Sequence, residues 1–394
     1  MRKIIILLLT VFSISLFGQT EDEILKLSDK LIAKKQYLTA FQKLDVFDKN
    51  NLKPDIVLEK EKIVLYYFVS SIMHQMFALK NLKEDENVMD YRGEKRQYKM
   101  FSFPINKILD SLISSNPKNY KLYRGLGEFY YEVYLKYGDR WLKNNSELLK
   151  LIEKNFLIAI NHNAGDYLSY YVIGYIKVIK QDYRGSIDYF KKSIAFKYDY
   201  PSSHYNLAYA YLYLNKLDDV VSEAKISGKQ YKNRIYKADA YRLTGIAYSG
   251  LNDMQNAIAY LEKSDRTDKN NYYTLKILLK DYVKSNNIKR EKLLNVFFNL
   301  APDKPTIYND LSEIYKSSNR LNELEKFYLS KLNKYKNNNL VLGNLYFYLG
   351  YMQMETDEEK AKRSLNKAKE VFLRVYPKNH QVFKVINEVF NKKK

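Results

Sequence analysis

Lys276, Lys280 and Lys284 stand four residues apart, a spacing that puts three ammonium groups on one face of a helix. Such a ladder can hold a carboxylate or another anion, and its plain alternative is a solvated charged face. The chain around it is strongly basic: 66 Lys and Arg against 45 Asp and Glu leave +21 over 394 residues. A field of that sign favours acidic peptide, nucleic acid or anionic headgroups. The Lys excess also accompanies frequent Asn, Ile and Tyr, a composition expected of AT-rich coding. Arg, the better bidentate phosphate ligand, is the minor cation. A dedicated anion surface and a compositional bias therefore stand side by side.

Other chemistries find less support. Without Cys there is no disulfide, thiolate metal site or thiol nucleophile. His74, His162, His204 and His380 lie far apart and show no metal-ligand spacing, so no metal site is expected. No phosphate-cradling loop, nucleophile elbow or His-Glu-x-x-His motif occurs. Arg124-Gly125-Leu126-Gly127 begins like a dinucleotide loop but lacks the third Gly and sits in a helical pattern, where packing explains it. No catalytic or cofactor-binding residue is assigned, and the chain is read as a non-enzyme without cofactors. The single Trp, Trp141, stands beside Arg140 and either anchors a partner or folds back to seal its own loop.

The elements that position these residues are helices. Gly and Pro number 13 and 7, too few for turn-rich sandwiches or barrels. A hydrophobic share of 46% is ample for a core. At the N-terminus, Arg2 and Lys3 precede an apolar run at 4–17 ending at Gly18, the pattern of a secretory signal peptide over 1–18. Leu16-Phe17-Gly18-Gln19 resembles the cleavage sites of exported Bacteroidetes proteins. The mature chain is then expected from Gln19, exported, periplasmic or associated with the outer membrane, and without a transmembrane span.

The remainder repeats. Residues 167–200 align with 201–234 at an offset of 34, and 238–271 form a third copy. Small residues recur at the eighth position, Gly174, Ala208 and Gly245. Ile173 and Leu207 precede them as large residues, whereas Thr244 departs. Tyr211 and Tyr248 are aromatic at the eleventh position, and Ser186, Val220 and Ala257 open the second half. These copies resemble the tetratricopeptide repeat, a helix–turn–helix unit of about 34 residues. Weaker copies extend through 272–304, 305–338 and 343–377, and backward through 120–164, 64–117 and 21–54. The expected fold is all-α: a right-handed α-solenoid of about nine such helix pairs. Its segments are degenerate units over 19–117 with an insertion at 81–103, a unit over 118–165 with an insertion at 135–148, an array over 166–377, and a capping helix over 378–394.

The resemblance also implies a site. Family members bind peptides on a concave face lined by the first helix of each unit. The matching positions here bring Tyr171, Tyr175, Tyr205, Tyr209, Tyr213, Arg242, Lys276, Lys280 and Lys284 to that face, and Trp141 is the further candidate partner contact. The tyrosines either line a groove or pack between units; Tyr is frequent, with 39 in the chain. The implied function is an exported, non-catalytic scaffold holding a protein or peptide partner in a bacterial envelope assembly. The alternative is a binder of an anionic polymer or surface, such as lipopolysaccharide, acidic glycan or nucleic acid, including peripheral association with the outer membrane.

Overall fold

The computed structural model describes residues 20–92 and 97–391, so the expected signal peptide lies outside the described residues. The chain divides into two compact units, Met1–Ser203 and His204–Lys394. In the first, α1 (Glu21–Ala33) pairs with α2 (Tyr37–Phe47), and α3 (Pro54–Tyr66) is followed after a long insertion by α4 (Ile105–Ser115). Next come the pairs α5 (Tyr120–Lys136) with α6 (Asn145–Asn161), and α7 (Tyr167–Ile179) with α8 (Tyr183–Phe196). The second unit takes up α9 (Pro201–Tyr213) and α10 (Leu217–Gln230), α11 (Arg234–Gly250) and α12 (Met254–Thr267), and α13 (Tyr272–Lys284) and α14 (Arg290–Phe298). It ends with α15 (Pro305–Ser317) and α16 (Leu321–Lys331), α17 (Asn339–Gln353) and α18 (Glu358–Phe372), and the single α19 (Gln381–Asn391). Among the described residues this is an α-solenoid architecture of nine successive pairs and a terminal helix, as the repeat pattern predicts.

The close approach within a pair is set by missing side chains. A Cβ on Gly174 would lie 2.8 Å from the Phe190 ring, and one on Gly245 would lie 2.6 Å from Leu261 Cγ and 3.2 Å from the Ala257 carbonyl oxygen. Only a residue without a Cβ lets these helices sit so near, and the facing Phe190 and Leu261 are fully buried as a result. Burying a side chain of that size contributes about 1.5–3 kcal/mol. One buried hydroxyl recurs with the same register: Ser193 Oγ donates to the Tyr167 carbonyl at 2.7 Å and Ser264 Oγ to the Ala238 carbonyl at 2.9 Å, each across 26 residues.

Five of the turns within pairs share one feature. Gln181, Asn215, Asn252, Asn286 and Asn319 all adopt left-handed backbone, with φ between 55° and 60°. Asn tolerates that region better than most residues and can end a helix where Gly commonly would. The chain therefore breaks its helices regularly while holding few glycines. Side-chain caps open the following helices: Asp166 accepts from Ser169 N, Asp253 from Asn256 N and Asn338 from Val341 N.

Both insertions differ from expectation. Residues 67–80, which the repeat reading leaves before the insertion, belong to it: β1 (Ser70–Ile72), β2 (Met76–Ala78) and β3 (Phe101–Ser102) form an antiparallel sheet in the order β1-β2-β3. The first turn is made by Met73 and His74, both left-handed with φ of 52° and 50°, so no Gly or Asn announces it in the sequence. The second insertion largely disappears into longer helices, since α5 and α6 have 17 residues each against 13 in α7. Only a short connector with one 3-10 turn, Gly138–Arg140, stands between them.

Gly245→Leu is expected to over-fill the contact with Leu261 and Ala257, lowering stability by about 1–3 kcal/mol. Chemical denaturation monitored by circular dichroism checks this; a variant as stable as the wild type would show that the close approach is not required.

Candidate functional site

In the second unit the first helices of successive pairs present a continuous series of polar and aromatic groups. On α9, Tyr209 and Tyr213 stack obliquely with ring centres 5.0 Å apart, and the Tyr209 hydroxyl donates to that of Tyr213 at 3.1 Å. Tyr213 is exposed and Tyr205 half-buried. Burial, then the Asp239 carboxylate, pushes the Tyr205 phenol up to about 12. Arg242 pairs with Asp239 at 2.7 Å and reaches toward Asn271 and the exposed Tyr273 ring. On α13, Lys276 meets Asp310 of α15 at 2.8 Å and Glu313 at 3.7 Å. Lys280 and Lys284 are exposed, and Lys284 donates to Asn252 at 3.3 Å. Lys316 of α15 bridges onward to Glu355 at 3.1 Å.

This face ends in a cleft of about 500 Å³ between α15, α17 and α19. Phe347, Tyr351 and Val385 form its apolar walls, with Tyr351 exposed at 45% and Val385 at 37%. Tyr348 is the buried floor, its hydroxyl donating to Asn309 at 2.8 Å. Glu313, Lys316 and Glu388 rim the opening, and the buried Ser312 Oγ has no partner among the described residues. The contact positions that the resemblance implies above end at Lys284. Continued into the 343–377 copy, counted from Gly343, the same register reaches Phe347 at position five and Tyr351 at position nine.

In the first unit the corresponding face is crowded and acidic. Glu61 is buried on α3, beneath Glu128 of α5, and its Oε1 has no partner among the described residues. Gly125 makes room for it: a Cβ there would lie 2.6 Å from Glu61 Oε2. Burial, then the Glu128 charge, raises the Glu61 carboxyl well above its ordinary range. Tyr66 donates its hydroxyl to Glu128. Burial, then the same Glu128, pushes Glu132 up to about 7. Arg124 stands near Asp166 at 4.0 Å.

Two expected contacts are corrected here. Tyr171 is buried at 8%, packed against Tyr175, Phe190 and Tyr200 with ring centres 5.2–6.2 Å apart, so it belongs to the core and not to an open wall. Trp141 is buried at 7%, edge-on to Phe129 and Tyr130, and donates Nε1 to the Met73 carbonyl at 2.8 Å. It seals the hairpin turn and offers a partner nothing. Tyr175 remains half-buried beside Tyr171. Lys276 is already engaged by two carboxylates, which leaves Lys280 and Lys284 as the freer rungs of the ladder.

The histidines serve packing. His74 lies buried among Phe68, Phe77 and Tyr137, and burial followed by Lys136 and Arg92 pushes it down to about 3. His162 stacks on Tyr120, His204 pairs with Glu223 at 2.6 Å, and His380 stacks on Tyr376. Among the described residues no group of three His, Cys, Asp or Glu could hold a metal, and no helix is long and apolar enough to cross a membrane.

Paired helices, left-handed Asn turns and small-residue contacts at fixed register define a helical repeat protein. Residues 238–271 match the family model of the tetratricopeptide repeat. Comparison with curated proteins finds no match. Among solved structures it is similar to a tetratricopeptide repeat protein from Parabacteroides merdae, at 16% identity, 68% coverage of this chain, 97% of that one and a TM-score of 0.41. It is also similar to MamA, at 17% identity, 42% and 87% coverage and a TM-score of 0.35. A third is YrrB, described as having an unusual peptide-binding site, at 12% identity, 55% and 91% coverage and a TM-score of 0.33.

Glu132 gives a pH dependence. Its folded value of about 7 exceeds the ordinary 4.5, so the folded chain binds the proton more tightly. The resulting stabilisation is complete below pH 4.5 and is lost as pH rises through 7. Glu132→Gln is therefore expected to raise the melting temperature at pH 8 more than at pH 4.5, a difference read by thermal denaturation at both values.

Proposed function

We propose that this chain is a non-catalytic scaffold that holds an extended protein segment along the first-helix face of its second unit. The cleft between α15, α17 and α19 carries the reading, because exposed aromatic and aliphatic walls stand there beside charged groups on rigid helices. A large apolar side chain of the segment enters between Phe347 and Tyr351. Tyr209, Tyr213 and Tyr273 offer further rings along the same face. Aromatic anchors of this kind are worth about 2 kcal/mol or more at protein interfaces, whereas exposed ion pairs contribute about 0–1 kcal/mol.

The N-terminal pattern of Arg2, Lys3 and the apolar run at 4–17 supports export, and with it a partner in a bacterial envelope assembly. Export is checked by N-terminal analysis of the protein made in a bacterial host with its own leader. The expected chain begins at or near Gln19, and retention of Met1 in exported protein would count against a cleaved leader.

Affinity capture from envelope fractions identifies the partner, and two double variants then test the site. Phe347→Ala with Tyr351→Ala should weaken partner binding about tenfold or more. Lys280→Gln with Lys284→Gln should mainly reduce salt sensitivity and association rate. If the lysine pair abolishes binding while the aromatic pair leaves it intact, an anionic polymer or surface is the ligand instead.

A further inference from the structure

A second cleft, in the first unit, has a different chemistry and does not depend on the scaffold reading. It holds about 560 Å³ between α2 and the extended residues 98–103 that include β3. Phe41, Phe101, Phe103, Leu38, Leu79 and Met100 supply an apolar lining. Phe41 is its centre, 4.6 Å from the Phe101 ring and 5.6 Å from the Phe103 ring. A cleft of this volume, part apolar and part polar, has the dimensions of a small-molecule site.

Its charge follows from one buried lysine. Lys60 is wholly buried behind the wall and donates to Asp45 Oδ1 at 2.9 Å, the Asp48 carbonyl at 2.8 Å and Asn51 Oδ1 at 2.8 Å. Asp45, the one carboxylate lining the cleft, is thereby compensated from within the protein. Lys49 and Lys99 also line the cleft, both exposed, and neither has a carboxylate partner among the described residues. The lining thus presents two ammonium groups without a carboxylate partner among the described residues, beside an aromatic slot. Tyr98 also lines the cleft. The Lys60 network fixes the end of α2, the following turn and α3 to one another, so this wall is formed before any ligand arrives.

We propose that the cleft binds a small apolar carboxylate, its hydrocarbon or aromatic body against Phe41, Phe101 and Phe103 and its carboxylate between Lys49 and Lys99.

Dodecanoate is the probe, titrated calorimetrically into the full chain. One saturable site per chain is expected, with dodecanol binding markedly more weakly. Lys49→Gln with Lys99→Gln should weaken dodecanoate about tenfold while leaving dodecanol unchanged. Leu38→Trp, which fills the slot, should abolish both, with melting curves confirming that the variant folds. In the wild-type protein, bound dodecanoate should protect Lys49 and Lys99 from amine-reactive labelling read by peptide mass, a measurement that needs no variant. Absence of a saturable site overturns the proposal. So does binding indifferent to the lysine pair, or labelling of both lysines unaffected by saturating dodecanoate.

Discussion

The architecture depends on one steric constraint: a residue without a side chain on the first helix of a pair, opposite a large buried residue on the second. Gly174 against Phe190 and Gly245 against Leu261 show it directly, and Gly127 against Phe156 and Gly350 against Leu365 repeat it. Once that contact is made, the rotation of the first helix is fixed, and so is the set of side chains on its opposite face. Thr244 illustrates the tolerance of the rule. It is polar where a large apolar residue is expected, yet it is fully buried because its hydroxyl donates back to the Ala240 carbonyl at 2.9 Å. A buried polar group with its hydrogen bond made costs little.

The face so exposed is more nearly neutral than the composition suggests. Successive first helices exchange opposite charges and hydroxyl–carboxylate contacts: Tyr66 with Glu128 and Arg124 with Asp166 in the first unit, Lys276 with Asp310 and Lys316 with Glu355 in the second. Each exposed pair contributes about 0–1 kcal/mol and is screened by salt, so their main effect is on what the face can bind. A polyanion would have to displace Asp310 and Glu313 from Lys276 before using it. An apolar side chain entering between Phe347 and Tyr351 breaks no such contact.

The parts of this fold legible in the sequence are those that the helix–helix contact dictates. Gly174, Ala208 and Gly245 mark the pairs, and the stripe of Phe383, Ile386 and Val389 marks the terminal helix. What the repeat could not report is structure outside its own contacts. The hairpin turns on Met73 and His74 in left-handed backbone, residues that carry no turn signature, so the sheet leaves no mark in the sequence and begins ahead of residue 81. The extra residues near 135–148 read as a loop because a longer helix pair has the same periodicity as a shorter one. Position in the register also says nothing about burial. Tyr171 and Tyr175 are one turn apart at equivalent-looking places, yet Phe190 and Tyr200 close over the first of them.

The β1–β2 hairpin is tied down on both sides. Asn81 pairs with Gln36 as an isolated bridge, accepts from Thr39 N at 3.1 Å and donates to Thr39 Oγ1 at 2.7 Å, tying the strand exit to the start of α2. At the other end Trp141 holds the Met73 carbonyl at the hairpin turn. β3, which carries Phe101, pairs with β2 of this anchored hairpin, and a wall already fixed loses little freedom when a ligand binds. On the proposed reading, the second unit holds an extended chain along its first-helix face, where many weak contacts add along its length. The proposed ligand of the first unit is instead a small molecule in the aromatic slot that the insertion lines. Neither depends on the other's residues, so selection could have changed the slot without disturbing the helix contacts on which the fold rests.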